Sequence, residues 1–249
     1  MRVAKESCQK INGPTGAPAE INPSDCPIAI KEAKEGPEAD DSARNAHRNA
    51  QGVLEYYSSK HKRASYDGQG ADLISVVHVG SHFANAFWST DQNFMAYGDG
   101  DGVQMGDLTR SVDVAGHEMT HGITSQTAKL LYMDESGALN EAFSDFFGVV
   151  IAAFVKNQPA DWAIGKEIFE NERKEVGLRN LKDPSSIQAR FRNKEGSLEQ
   201  RPYPSKKSEK FESFEACSSR NDRCYVHVNS MIPGQTMELL AEKLGLEAA

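Results

Sequence analysis

The sequence predicts an α+β chain of two lobes, with a mixed, strand-rich first half (1–126) and a helical second half (127–249). Three observations carry this. Short runs rich in β-branched and aromatic residues, Leu73–Val79, Asn85–Trp88 and Phe94–Tyr97, are punctuated by turn residues. Apolar residues recur with helical spacing in Asp40–Lys60 and Val112–Thr124. The stretch Ser136–Phe154 then reads as one long buried helix.

In chain order, residues 1–40 are rich in Pro, Gly, Lys and Glu and read as a loop-rich start. In Asp40–Lys60, residues Ala43, Ala46, Ala50, Val53, Leu54 and Tyr57 share one face. Tyr66-Asp67-Gly68 is a turn. Gly98-Asp-Gly-Asp-Gly102 ends the third strand; it lacks the rest of an EF-hand spacing and reads as a turn, not a calcium loop. Ser136 is the candidate N-cap of the long helix. Residues 182–215 are polar and aperiodic, a loop or insertion. Met237–Leu244 closes the chain as a short amphipathic helix, and no internal repeat is present.

The 249 residues are 39% hydrophobic and 26% charged, ordinary for a globular chain. A net charge of −8 argues against a nucleic-acid partner, which would call for a basic face. No apolar run approaches membrane-spanning length, so no membrane partner is expected. Cys8 and Cys26 flank a Pro/Gly-rich loop, and Cys217 and Cys224 flank a short polar one. Two local disulfides and an oxidising, extracellular setting are the expectation. The N-terminus carries no apolar signal core, so any leader is expected to lie outside this chain.

The chemistry concentrates in Val112-Asp-Val-Ala-Gly-His-Glu-Met-Thr-His-Gly-Ile-Thr124. On a helix, His117 and His121 stand at i and i+4, so both imidazoles reach one metal ion. Glu118 points away from that shared direction. It can stand beside the ion, where a base acting on a water is needed. Gly116 and Gly122 weaken the helix, while Asp113 suits its positive end. Two histidines alone would also suit a half-buried helix with no metal, so a third ligand decides. Glu141, on the next helix, completes a His/His/Glu set with an open fourth position. Asp145, one turn on, can accept the other ring N–H of a ligating histidine.

With these residues in place, the chain resembles the thermolysin-like zinc metallopeptidases. The resemblance runs through Tyr66-Asp-Gly68, Asn85-Ala-Phe-Trp88, Tyr97-Gly-Asp-Gly-Asp-Gly102, Gly116-His-Glu-Met-Thr-His121 and Glu135-Ser-Gly-Ala-Leu-Asn-Glu-Ala-Phe-Ser-Asp-Phe-Phe-Gly148. It continues through Asp161-Trp162, Leu178-Arg179, Asp183-Pro184 and Val226-His-Val-Asn-Ser230. It implies a zinc endopeptidase with protein or peptide substrates, its HExxH helix at the floor of an interlobe cleft. His117, His121 and Glu141 would hold one catalytic zinc, with Glu118 as general base. Tyr132 and His227 would stabilise the oxyanion, while Asp222 orients His227 and Asp145 orients His117. Asn85-Ala86-Phe87-Trp88 would be an edge strand that a peptide extends, with Asn85 and Arg179 holding substrate carbonyls. Met105, Leu108, Val114, Ile164, Ile168 and Leu178 would wall an apolar pocket after the scissile bond. A propeptide outside this chain is a possible partner.

The resemblance also sets expectations where the chain departs from the pattern. Of the positions that hold a calcium pair in the family, Asp113 and Asp161 keep an acid, but Ala152, Ala163 and Lys166 do not. The double calcium site is expected to be absent, with Lys166 pairing with Asp161 or Asp113 and tying the lobes together; other calcium sites stay open. Met231 replaces the Gly that usually follows Asn229-Ser230. The chain stops at Ala249, soon after His227, so the helical lobe is expected to be truncated. The face Phe143, Phe146, Phe147, Val150 and Phe154 would then lie bare. The alternative function is a catalytically impaired fragment or a zinc-stabilised peptide-binding relic of the same family.

Overall fold

A computed structural model describes residues 2–5, 30–31 and 40–246. Cys8 and Cys26, and hence their expected disulfide, lie outside the described residues. The first lobe is built on a sheet of β1 (Arg2–Lys5), β2 (Ile30–Lys31), β3 (Ile74–Val77), β4 (Ala86–Ser89) and β5 (Phe94–Tyr97), in the order β2-β1-β3-β5-β4. The β1–β3 and β3–β5 pairs are parallel; β4 runs antiparallel to β5 and forms an edge. In β5 the side chains alternate. Met95 and Tyr97 enter the main core, while Phe94 and Ala96 join a smaller cluster with Val79 on the other face.

Helix α1 (Asp41–His61) starts at Asp40, whose carboxylate accepts from the Ala43 amide, and buries Ala43, Ala46, Ala50, Val53, Tyr56 and Tyr57. Helix α2 (Val112–Gln126) is the floor of the molecule, buried on every side from Val112 to Thr120. The Tyr57 hydroxyl meets Thr120 Oγ1 at 2.7 Å and so ties α1 to it. Helix α3 (Asp134–Lys156) packs on α1 and α2 and against α4 (Asp222–Asn229) and α5 (Met231–Leu244). By length and composition α3 would also suit a membrane span, contrary to the expectation that no apolar run approaches that length. Here its faces are taken up by these neighbouring helices.

Glycines at the α2–α3 crossing let the backbones touch. A Cβ on Gly148 would stand 2.6 Å from the Asp113 carbonyl oxygen, and one on Gly116 would stand 3.1 Å from the Gly148 Cα. The propensity that Gly116 costs α2 is thus exchanged for close approach. Gly148→Ala is expected to lower stability by about 1–3 kcal/mol through overpacking. The measurement is the urea midpoint at unchanged m-value; an unmoved midpoint would show that the crossing can widen freely.

Several expectations need correction. The long helix starts at Asp134, not after a Ser136 cap. Asp134 and Glu135 suit its positive end, and Lys210 Nζ lies 3.0 Å from both. The stretch 182–215 is not merely loop: β8 (Gln188–Arg192) and β9 (Leu198–Pro202) form a hairpin, following the short pair β6 (Ala163–Ile164) and β7 (Arg179–Asn180). Helix α5 begins at Met231, because Pro233 falls in its first turn, where amides have no helical partner to lose. The aromatic face of α3 is not bare. Phe146 stacks on Trp162, Phe147 meets Tyr57 and His61, and Phe154 meets Tyr56. Leu239, Leu240 and Leu244 of α5 are among the outward apolar residues, with Val103, Leu131, Leu198 and Phe214 elsewhere.

Candidate active site

Helix α2 carries His117 and His121 one turn apart, and α3 carries Glu141 opposite them. Asp145 Oδ1 accepts from His117 Nδ1 at 2.9 Å. Asn140 Oδ1 and Ser144 Oγ lie 2.9 and 3.1 Å from His121 Nδ1. With the Nδ1 protons committed, each neutral ring turns a bare Nε2 lone pair inward, and the two Nε2 atoms stand 3.0 Å apart. Glu141, fully buried, adds Oε2 at 3.5 Å from His117 Nε2 and Oε1 at 3.3 Å from His121 Nε2; Oε2 has no hydrogen-bond partner.

Acceptors facing one another in a buried pocket repel unless a cation lies between them. Ligands about 2.0–2.1 Å from a tetrahedral ion are themselves about 3.3 Å apart, which these spacings match. The three residues form the metal-capable group found among the described residues. Electrostatics agree. Burial lowers the His121 pKa, but the Glu141 carboxylate outweighs it and lifts the group to about 9, so the metal-free pocket draws a proton. Burial raises the Glu141 carboxyl, yet His227, His121 and His117 hold it well below the usual carboxylate range.

Around this group the other expected residues gather. Glu118 is buried and faces the same cleft without joining the ligand set. Tyr132 donates its hydroxyl proton to Glu141 Oε1 and lies 3.2 Å from His227 Nε2. Burial and the Glu141 charge raise the Tyr132 pKa, so the phenol keeps the proton it donates. Asp222 grips His227 twice, through Nδ1 at 2.6 Å and through the backbone amide at 3.0 Å.

The cleft measures about 1230 Å³. Asn85 and Ala86 line it along the open edge of β4; Met105, Leu108, Val114, Ile164 and Leu178 line its apolar part. Ile168, expected in that wall, is fully buried in the core. Residues 27–125 match the family described as thermolysin metallopeptidase, catalytic domain, and residues 128–249 match the α-helical domain of thermolysin metallopeptidase. The chain belongs to the thermolysin metallopeptidase family.

Its relatives within that family include Protease PrtS of Photorhabdus sp. (strain Az29), 36% identical over 204 residues, covering 81% of this chain and 52% of the relative. Bacillolysin of Brevibacillus brevis is 45% identical over 147 residues, covering 59% of this chain and 26% of the relative. Among solved structures, the precursor of protealysin, a metalloproteinase from Serratia proteamaculans, superposes with a TM-score of 0.74 at 30% identity, over 88% of this chain and 65% of that one. The chain therefore spans about half the length of Protease PrtS and about a quarter of that bacillolysin.

Within this thermolysin-family site, three features go beyond the sequence reading. Arg179, expected to face substrate, directs Nε and Nη2 onto both oxygens of Asp145 at 2.6 and 2.7 Å, bracing the carboxylate that holds His117. Asn140 and Ser144, one turn apart on α3, hold His121; their spacing beside Glu141 and Asp145 was the available signal. Third, α4 opens with four successive non-glycine residues in the left-handed region: Asp222, Arg223, Cys224 and Tyr225, with φ of 51°, 48°, 72° and 62°. Each costs about 1–2 kcal/mol relative to right-handed backbone. Cys224 is bonded to Cys217, the second of the two expected disulfides. Met231, in place of the family's usual Gly, is fully buried in the main core.

Proposed function

We propose that this chain is a zinc-dependent endopeptidase that cuts internal peptide bonds before a bulky apolar residue. The observation that carries the reading is the convergence of His117, His121 and Glu141 on one point in a cleft bordered by the free edge of β4. His117, His121 and Glu141 would hold a zinc ion, which would supply Lewis-acid polarisation there. Glu118 takes the proton of the attacking water and delivers it to the leaving amine. Tyr132 and His227 donate to the oxygen on which charge develops, with Asp222 keeping His227 turned toward it. The peptide lies along β4 as an added strand, held by backbone hydrogen bonds, by Asn85 and by the Arg179 N–H groups that Asp145 leaves free. Met105, Leu108, Val114, Ile164 and Leu178 take the residue after the cut.

The test joins metal analysis to cleavage of quenched peptides varied at that residue. Zinc-dependent internal cleavage, favouring Leu or Phe over Asp or Lys by about tenfold or more, is expected. Stoichiometric zinc without cleavage would favour the impaired or peptide-binding relic, and cleavage confined to free N-termini would favour an aminopeptidase. The Cys217–Cys224 disulfide and the family support a working place outside the cell, and a propeptide as an earlier partner is part of the proposal.

The proposal also leaves out a double calcium site. Lys166 Nζ pairs with Asp161 Oδ2 at 2.9 Å, and Ala152 and Ala163 offer no side-chain oxygen. That pair lies within the second lobe and does not tie the lobes, contrary to the expectation. Asp113 makes that connection by accepting from the Gly165 amide at 3.0 Å. Millimolar calcium is expected to leave the Tm of the zinc-loaded protein unchanged. A large rise that vanishes in Asp161→Asn would overturn this.

A further inference from the structure

We propose that the Cys217–Cys224 disulfide is a positioning element of the reaction: it clamps the left-handed turn that seats Asp222 on His227. The inference rests on the peptidase reading for its kinetic consequence, but its geometry stands apart from the metal.

His227 reaches its place through Asp222, which holds both the Nδ1 proton and the backbone amide of the histidine. That double grip spans five residues. Across it the chain turns the opposite way from an ordinary helix: every residue from Asp222 to Tyr225 has positive φ. None of the four is glycine, the residue that visits this region freely. Left alone, such a turn unwinds. It is held at several points. Cys224 is fastened to Cys217, the Arg223 amide donates to the Ser218 carbonyl at 2.7 Å, and Asn221 Oδ1 accepts from the Ser218 amide at 2.8 Å and the Cys224 amide at 3.3 Å. Tyr225 is buried against Phe211, and Asn229 donates to the Phe211 carbonyl at 3.0 Å. Only the disulfide is covalent, and it closes on the residue with the largest φ of the four. Without it the turn is left to the Ser218 and Asn221 hydrogen bonds, which join neighbouring parts of one loop, and to the Phe211 contacts of Tyr225 and Asn229, which hold it only from its C-terminal end.

Breaking the bond therefore releases Asp222 from His227 and leaves the zinc ligands untouched, because these stand on α2 and α3. Misplacing an oxyanion donor by about 1 Å costs on the order of 100-fold in rate. Substrate affinity, set by β4 and the apolar pocket, should move little.

The experiment compares the wild-type chain with Cys217→Ser/Cys224→Ser and Cys217→Ser/Cys224→Gly. In the serine variant kcat is expected to fall about 10- to 100-fold, with KM within about twofold and zinc content unchanged. In the glycine variant, which adopts the left-handed backbone without a clamp, most of the kcat returns. A second readout needs no activity. In 15N-histidine-labelled protein, the low-field Nδ1 proton lost in His227→Gln should be sharp in wild type, broadened by exchange in the serine variant and restored in the glycine variant. If the wild type cleaves nothing, the functional reading fails and this resonance still judges the clamp. Should the serine variant not fold, a water-soluble phosphine applied to folded wild type makes the same comparison, with alkylated thiols mapped by mass spectrometry. The phosphine becomes its oxide as the S–S bond takes up two electrons and two protons. A serine variant with kcat within threefold of wild type and an intact His227 proton overturns the proposal. So does equal loss in the serine and glycine variants, or loss of zinc, which would make the bond merely structural.

Discussion

Replacing Glu118 with Gln is expected to leave the fold and the bound zinc intact and to remove almost all turnover. Gln is nearly isosteric with Glu, so the buried position beside Tyr97 and His121 keeps its packing. What disappears is the base. Proton transfer by a positioned side chain contributes about 10²–10⁴-fold, so the barrier rises by about 3–5 kcal/mol. The check is kcat/KM on a quenched peptide alongside zinc content. Activity kept within about tenfold of wild type, or about 1.4 kcal/mol, would remove Glu118 from the mechanism.

The second large effect is on metal and stability together. Zinc held by the native pocket and not by the unfolded chain stabilises by about 4 kcal/mol at a thousand times its Kd. For a chain of this size that is a Tm change of about 10 °C. A chelator should lower the Tm by that amount. In Glu141→Gln most of the zinc-dependent rise should be missing, because the set loses its one anionic ligand and the two Nε2 atoms, 3.0 Å apart, face a neutral amide. Calorimetry with and without zinc reads both effects. An identical zinc-dependent shift in wild type and Glu141→Gln would show that the carboxylate is no ligand.

The parts of this site that follow local periodicity were legible from sequence. His117 and His121 at i and i+4, and Glu141 and Asp145 likewise, fix faces of two helices whatever the rest does. The core face of α1 and the strand Phe94–Tyr97 were readable for the same reason. Contacts made across the fold were not. Arg179 sits far from Asp145 in sequence, and nothing near it indicates that its guanidinium is taken up there. The β8–β9 hairpin went unread because only Ala189 in it is buried, among charged neighbours, so no alternation stood out. The left-handed start of α4 was invisible for a different reason. Its four residues have the wrong propensity for their backbone, and only the Cys217 linkage, the capping by Asn221 and the Tyr225–Phe211 contact make sense of it. The bare aromatic face assigned to α3 failed because α1 and Trp162, not a later helix, cover it.

The backbone-to-backbone crossing of α2 and α3 has a practical corollary for anyone altering this protein. The Gly116 and Gly148 backbones meet directly, so no side chain of either residue sets how closely the two ligand-bearing helices approach. The histidine rings and Glu141 are then placed across that fixed crossing by their own hydrogen bonds to Asp145, Asn140, Ser144 and Tyr132. A thermostabilising campaign should therefore leave those two glycines alone.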